Sequence, residues 1–212
     1  MRRRLVVVFV VCLGVLSGCA LFQPPKDTTL YSETFSDPAT TAWSLGETES
    51  RKKSIENGEY HFLVKQQTST WSWNSGAGAF DAVQIDLDVR HIAGTDNVSA
   101  AGLVFRLEDG NNFYAFFVSP AGTYRVYSVA DSTWTGLTGW TGSPEINKGV
   151  ATNHLRVVTN GSSLSFFIND TEVETLTDAA HASGFVGVIA RAFDDAVDVH
   201  VAFDNLVVHE LE

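Results

Sequence analysis

Strict two-residue alternation, with almost no helical periodicity after residue 30, constrains this chain most. Glu59 to Lys65 alternates, with Tyr60, Phe62 and Val64 on one face. Val83, Ile85, Leu87 and Val89 share a face, and Gln84, Asp86, Asp88 and Arg90 stand opposite. A strand turns successive side chains to opposite faces, so this pattern reads as half-buried strands. Leu103, Phe105 and Leu107 alternate with Val104 and Arg106. Phe113 to Val118 is apolar on both faces, the pattern of a central strand covered on both sides. Further strands are expected at Thr123–Ala130, His154–Thr159, Leu164–Ile168, Val173–Leu176, Phe185–Arg191 and Val197–His209. Asp109-Gly110-Asn111, Pro120-Ala121-Gly122, Asn160-Gly161 and Asn169-Asp170 supply turns that tolerate left-handed backbone. Short strands every 8–12 residues or so indicate an antiparallel sandwich or barrel. Thr177 to Ser183 reads as a helical turn capped by Thr177 or Asp178.

The first residues carry a different signal. Arg2, Arg3 and Arg4 precede an apolar run from Leu5 to Val15, and Leu16-Ser17-Gly18-Cys19 follows. The run is shorter than the roughly 20 apolar residues a membrane-spanning helix needs. This is the layout of a bacterial lipoprotein signal, residues 1–18, cleaved before a lipid-modified Cys19. Residues 19–29, with Pro24-Pro25, read as an extended tether, and residues 30–212 as one domain. The expected location is the extracytoplasmic side of a bacterial membrane. Cys12 leaves with the signal and Cys19 carries lipid, so no disulfide is expected in the mature chain.

The full chain has a formal charge of −11. Removing residues 1–18 takes away three arginines and no acid, leaving about −14. Such a chain is repelled by a nucleic-acid backbone, so nucleic acid is not an expected partner. His61, His91, His154, His181, His200 and His209 form no zinc-ligand spacing, and there is no nucleophile elbow, phosphate loop or dinucleotide fingerprint.

The order of short motifs resembles the concanavalin A-like lectin/glucanase superfamily, in particular its laminin-G-like and 3-keto-disaccharide-hydrolase-like bacterial domains. The resemblance rests on Glu33 to Asp37 with Trp43, Asn57-Gly58-Glu59-Tyr60, Gly102 to Arg106 and Asn112 to Phe116. It continues through Asn153 to Val157, Leu164 to Asp170, Gly184 to Gly187 and Phe203 to Val208. It implies an all-β jelly-roll sandwich of two curved antiparallel sheets. Asn169-Asp170 departs from the usual Asn-Gly, which predicts a strained or longer turn. Trp134 and Trp140 are expected to pin a hairpin.

Lichenase-type members of that superfamily carry Glu-x-Asp-x-Glu on one strand. The matching stretch here is Gln84-Ile85-Asp86-Leu87-Asp88, which lacks the first glutamate and reads as an outward polar face. The keto-disaccharide motif is replaced by Ala101-Gly102-Leu103-Val104-Phe105-Arg106. No catalytic residue is therefore assigned. A glycosidase or 3-keto-disaccharide hydrolase remains one alternative and a structural interaction module another. Lichenase-type relatives also place an aspartate on the terminal strand as a structural calcium ligand, and Asp204 matches it. No other cofactor is expected.

The leading expectation is a carbohydrate site. Sugars stack their C–H faces on aromatic rings and take hydrogen bonds from fixed polar groups. Arg106 and Tyr114 are expected on the concave sheet, with Trp71 and Trp73 beside them and Arg125 and Arg191 near strand ends.

Overall fold

The computed structural model describes residues 28–39, 41–94, 98–194 and 198–211. Cys19, the signal and most of the tether lie outside the described residues. In chain order the strands are β1 (Thr29–Glu33), β2 (Gly46–Glu47), β3 (Arg51–Glu56), β4 (Glu59–Val64), β5 (Ser69–Trp73), β6 (Val83–Ala93), β7 (Ser99–Asp109) and β8 (Asn112–Val118). They continue with β9 (Thr123–Ala130), β10 (Thr133–Gly136), β11 (Thr141–Gly142), β12 (Thr152–Asn160), β13 (Ser163–Ile168), β14 (Thr171–Thr177), β15 (Phe185–Ala192) and β16 (Val199–Glu210).

Two antiparallel sheets result. The nine-stranded sheet runs β14-β13-β12-β6-β16-β4-β3-β2, with β1 pairing β16 beside β4. The seven-stranded sheet runs β10-β9-β8-β7-β15-β5, with β11 also on β9. The expected jelly-roll sandwich is the observed architecture. Tyr60, Phe62 and Val64 of β4, and Ile85, Leu87 and Val89 of β6, meet Leu103, Phe105, Tyr114 and Phe116 from the opposite sheet. These side chains are almost wholly buried. Removing that much apolar surface from water is the main force closing the two sheets.

The alternation of Phe113 to Val118 has a second consequence. Tyr114 and Phe116 face the other sheet, while Phe113, Ala115 and Phe117 face outward. The outward three are still fully buried. Trp71, Trp73, Trp134, Phe185 and Phe193 pack over this outer face and make a second apolar cluster. Trp134 stands edge-on to Phe113 at 5.5 Å and to Tyr127 at 5.4 Å. It fixes β10 against β9, as expected of a hairpin pin, whereas Trp140 is 37% exposed and touches Phe193.

Two local expectations are corrected. No helical turn follows Thr177. The Asp178 side chain accepts the Ala180 N–H at 2.9 Å, and that side-chain turn competes with a helix. The Asn169-Asp170 turn is not longer than usual, since Ile168 pairs directly with Thr171. Both turn residues adopt left-handed backbone, φ 49° and 66°, the geometry of a two-residue hairpin that Asn and Asp tolerate.

Candidate functional site

The sequence places Arg106 among alternating strand residues, but β7 carries a bulge there. Its register against β8 shifts between Phe105 and Asp109, and Arg106 has φ 46°. The extra residue breaks alternation: Phe105 faces inward and Leu107 outward. The side chain is thereby re-aimed out of the sheet. Arg106 is 2% exposed. Nη1 donates to the His181 carbonyl at 3.0 Å, and Nη2 to the carbonyls of Gly161 at 2.7 Å and Asp81 at 3.1 Å. Burial lowers its pKa. Gly184 lets the next loop close on this bulge, because a Cβ there would run into the backbone of Arg106 and Leu107. Arg106 is thus a clamp joining three connections, not a residue of an open sugar platform.

Tyr114 is corrected in the same way. It lies between the sheets with no exposed surface, stacked on Phe105 at 5.3 Å. Its hydroxyl donates to Asp178 and accepts the His181 N–H at 3.2 Å. Burial, reinforced by Asp178, pushes its pKa up to about 12. Arg125 and Arg191 are occupied as well. Arg125 covers Tyr127 at 4.4 Å, donates to the Thr138 carbonyl at 3.1 Å and fills the space a Cβ at Gly136 would take. Arg191 sits 5.0 Å from both Trp134 and Phe193. Cation–π contacts of this kind hold the rings as a roof over the outer face. The expected constellation of six residues is therefore not assembled.

Trp71 and Trp73 do line a cleft. They stand on the outer side of β5, the edge strand of the seven-stranded sheet, while Thr70 and Ser72 turn inward. The cleft, about 530 Å³, runs along this edge where β3 of the other sheet faces it. Both indoles are only partly buried. Trp71 leans on Phe113 at 5.6 Å, which sets its tilt. From β3, Lys53 and Arg51 reach across. The Lys53 ammonium donates to the Trp71 carbonyl at 2.7 Å and to Ser44 Oγ at 3.2 Å. Burial, helped by the neighbouring Arg51 charge, lowers its pKa to about 8. Beneath, Tyr60 donates to the Ser44 carbonyl at 2.6 Å, and Ser44 and Ser72 hydroxyls lie 3.0 Å apart. The floor is rigid and the indole rims are open. That arrangement suits a ring that stacks by its C–H face and bonds through hydroxyls.

The carboxylate pair occupies the outer face of the nine-stranded sheet. His154 bridges it, with Nδ1 2.8 Å from Asp88 Oδ1 and Nε2 2.9 Å from Asp86 Oδ1. Arg156 donates to Asp86 Oδ1 at 2.7 Å and Gln84 to Asp86 Oδ2 at 2.7 Å. Hydrogen bonds to the two carboxylates raise the His154 pKa to about 9. Burial alone raises Asp86, but the bonds from His154, Gln84 and Arg156 outweigh it, and its pKa falls. The His154 bond leads in lowering Asp88. Glycoside cleavage needs one protonated carboxyl as acid. Here both are held ionised around an imidazolium, so the pair does not supply one. His154 lies more than sixty residues from either aspartate, and only the β6–β12 register, with His154 opposite Asp88, brings them together.

Asp204 stands opposite Asp88 on the same face and accepts the Asn205 N–H at 2.7 Å. Burial, then Asp88 and Glu59, raises its pKa. Among the described residues no three His, Cys, Asp or Glu side chains gather to hold a metal ion.

No family model and no curated sequence matches the chain. Solved structures do. A carbohydrate-binding module, CBM66 of Bacillus subtilis, superposes with a TM-score of 0.62 at 16% identity, covering 80% of this chain and 96% of its own. The chain shares that module's fold, a jelly-roll sandwich of two antiparallel sheets. A galectin-like protein of unknown function from Bacillus subtilis gives 0.63 at 13% identity, covering 87% and 97%. The GH43 protein BlXynB of Bacillus licheniformis gives 0.65 at 12% identity, over 85% of this chain and 39% of its own. The same fold thus occurs as a binding module and as part of a longer GH43 chain, so the site must decide what it does here.

Proposed function

We propose that this chain is a non-catalytic carbohydrate-binding domain, anchored on the outer side of a bacterial membrane through Cys19, with its ligand in the β3–β5 cleft. The observation that carries the reading is the pair of partly exposed indoles, Trp71 and Trp73, on the same face of the edge strand and lining the cleft. The likeness to a carbohydrate-binding module supports it, and so does the absence of a usable carboxylic acid at the Asp86–Asp88 pair.

A glycan array followed by calorimetric titration of the best ligand tests the reading. Trp73→Ala is expected to weaken binding tenfold or more per folded molecule, about 1.4 kcal/mol, alongside some loss of stability from its share of the outer apolar cluster. Trp134→Ala is expected to lower the melting temperature and leave affinity per folded molecule intact. Equal affinity for Trp73→Ala and its parent would remove the cleft from the account. For the anchor, the thioether needs the Cys19 sulfur. Cys19→Ser is therefore expected to abolish metabolic palmitate labelling and release the protein from the membrane fraction. Persistent labelling would contradict the anchor.

A further inference from the structure

The cleft has a charge character opposite to that of the molecule. The whole chain is −11, with 25 acidic residues against 14 basic. None of the ten residues lining the cleft is acidic, and two are cations, Arg51 and Lys53. Lys53 points into it without a carboxylate partner and is held by a carbonyl and a hydroxyl. The Arg51 guanidinium has no hydrogen-bond or ion-pair partner among the described residues. Asp109, next to the lining Gly110, turns its carboxylate into its own hairpin, where it takes the Asn111 N–H at 2.7 Å and Asn112 Nδ2 at 3.1 Å. The other lysines of this edge are neutralised: Lys52 pairs with Glu56 and Lys65 with Glu47.

An unneutralised, half-buried ammonium is costly, and a protein this acidic has ample carboxylates to pair it. Resting on the carbohydrate reading above, we propose that the cleft selects an acidic saccharide, one whose uronic carboxylate binds between Arg51 and Lys53 while the pyranose ring stacks on Trp71 or Trp73. A guanidinium presents two parallel donors to a carboxylate, and the ammonium adds a third, so one carboxylate satisfies both cations. The alternating spacing of Arg51 and Lys53 puts both side chains on the same face of β3. Repulsion from the rest of the molecule acts at longer range and is screened within about 8–10 Å at physiological salt. The contact pair in the cleft is much less affected.

The test is titration of the full chain with tetragalacturonic acid and with its methyl ester, at constant salt. The two probes share every ring atom and differ in charge. The acid is expected to bind at least tenfold more tightly than the ester. Arg51→Gln is expected to lower that ratio severalfold, by weakening binding of the acid more than binding of the ester. Equal affinity of parent protein for acid and ester, or an unchanged ratio in both Arg51→Gln and Lys53→Gln, overturns the acidic selectivity while leaving a neutral sugar site standing. Binding of either probe that is indifferent to Trp71→Ala and Trp73→Ala overturns the cleft itself.

Discussion

Replacing Arg106 with methionine is expected to lower the melting temperature by about 10 °C, a loss of about 3–5 kcal/mol for a domain of this size. Methionine keeps the aliphatic stem but withdraws three charge-assisted hydrogen bonds. The carbonyls of Asp81, Gly161 and His181 then lose their donor at the end of the sandwich, beside a cavity of about 230 Å³. Water entering that cavity recovers part of the loss, so the range stays below the sum of three full bonds. Thermal melts and urea titrations measure it, and the folded fraction of the variant should still bind glycan with parental affinity. A variant as stable as the parent, or one that melts normally and no longer binds, would contradict the clamp.

The second large effect is a dependence of stability on pH carried by His154. Its folded pKa, about 9, lies above its ordinary value of 6.5. Its contribution is therefore fully present below about pH 6.5 and is lost as pH rises towards 9. A shift of this size corresponds to at most about 3 kcal/mol. The ring is about one-third exposed, so solvent screening reduces the expectation to about 1–2 kcal/mol. Lys53 acts oppositely: its folded pKa is lowered, so the cost of charging it is relieved as pH rises through about 8. The readout is thus the difference between parent and His154→Gln. That gap is expected to narrow by 1–2 kcal/mol or so between pH 6 and pH 9.5. A gap constant across the range would show that the bridge carries no protonation energy. On the acid side, Asp86 and Asp88 have lowered pKa values, so their contribution vanishes as pH falls below about 4.

The sheets were legible because their strands are buried on at least one face. Thr123 to Ala130 is a strand with the boundaries its alternation predicts, and the two-faced apolar run Phe113 to Val118 lies mid-sheet between two clusters. Strand β3 was not legible. Its Arg-Lys-Lys-Ser-Ile-Glu sequence shows no apolar period, because Lys53 takes a half-buried place with its ammonium 5.1 Å from the Phe62 ring centre, while Arg51 stays exposed. That strand supplies one wall of the cleft, so sequence reasoning could name the tryptophans but not their cationic partners. Arg106 was misplaced for a different reason. A left-handed bulge at an arginine has no composition signal, unlike one at glycine, and a single inserted residue reverses every side chain beyond it. His154 was missed because its partners are set by register between distant strands. An aspartate pair facing a histidine across β6 and β12 becomes visible only once that pairing is known.

The central claim is that sugar binds at the indoles of β5. The most direct measurement follows the indole N–H resonances of the five tryptophans during titration with the best glycan. Trp71 and Trp73 should shift in proportion to occupancy. Trp43, buried and bonded to the Tyr31 hydroxyl, and Trp134, packed under Arg191, should stay in place. Saturation with shifts confined to Trp134 or Trp140, and none at Trp71 or Trp73, would contradict the account.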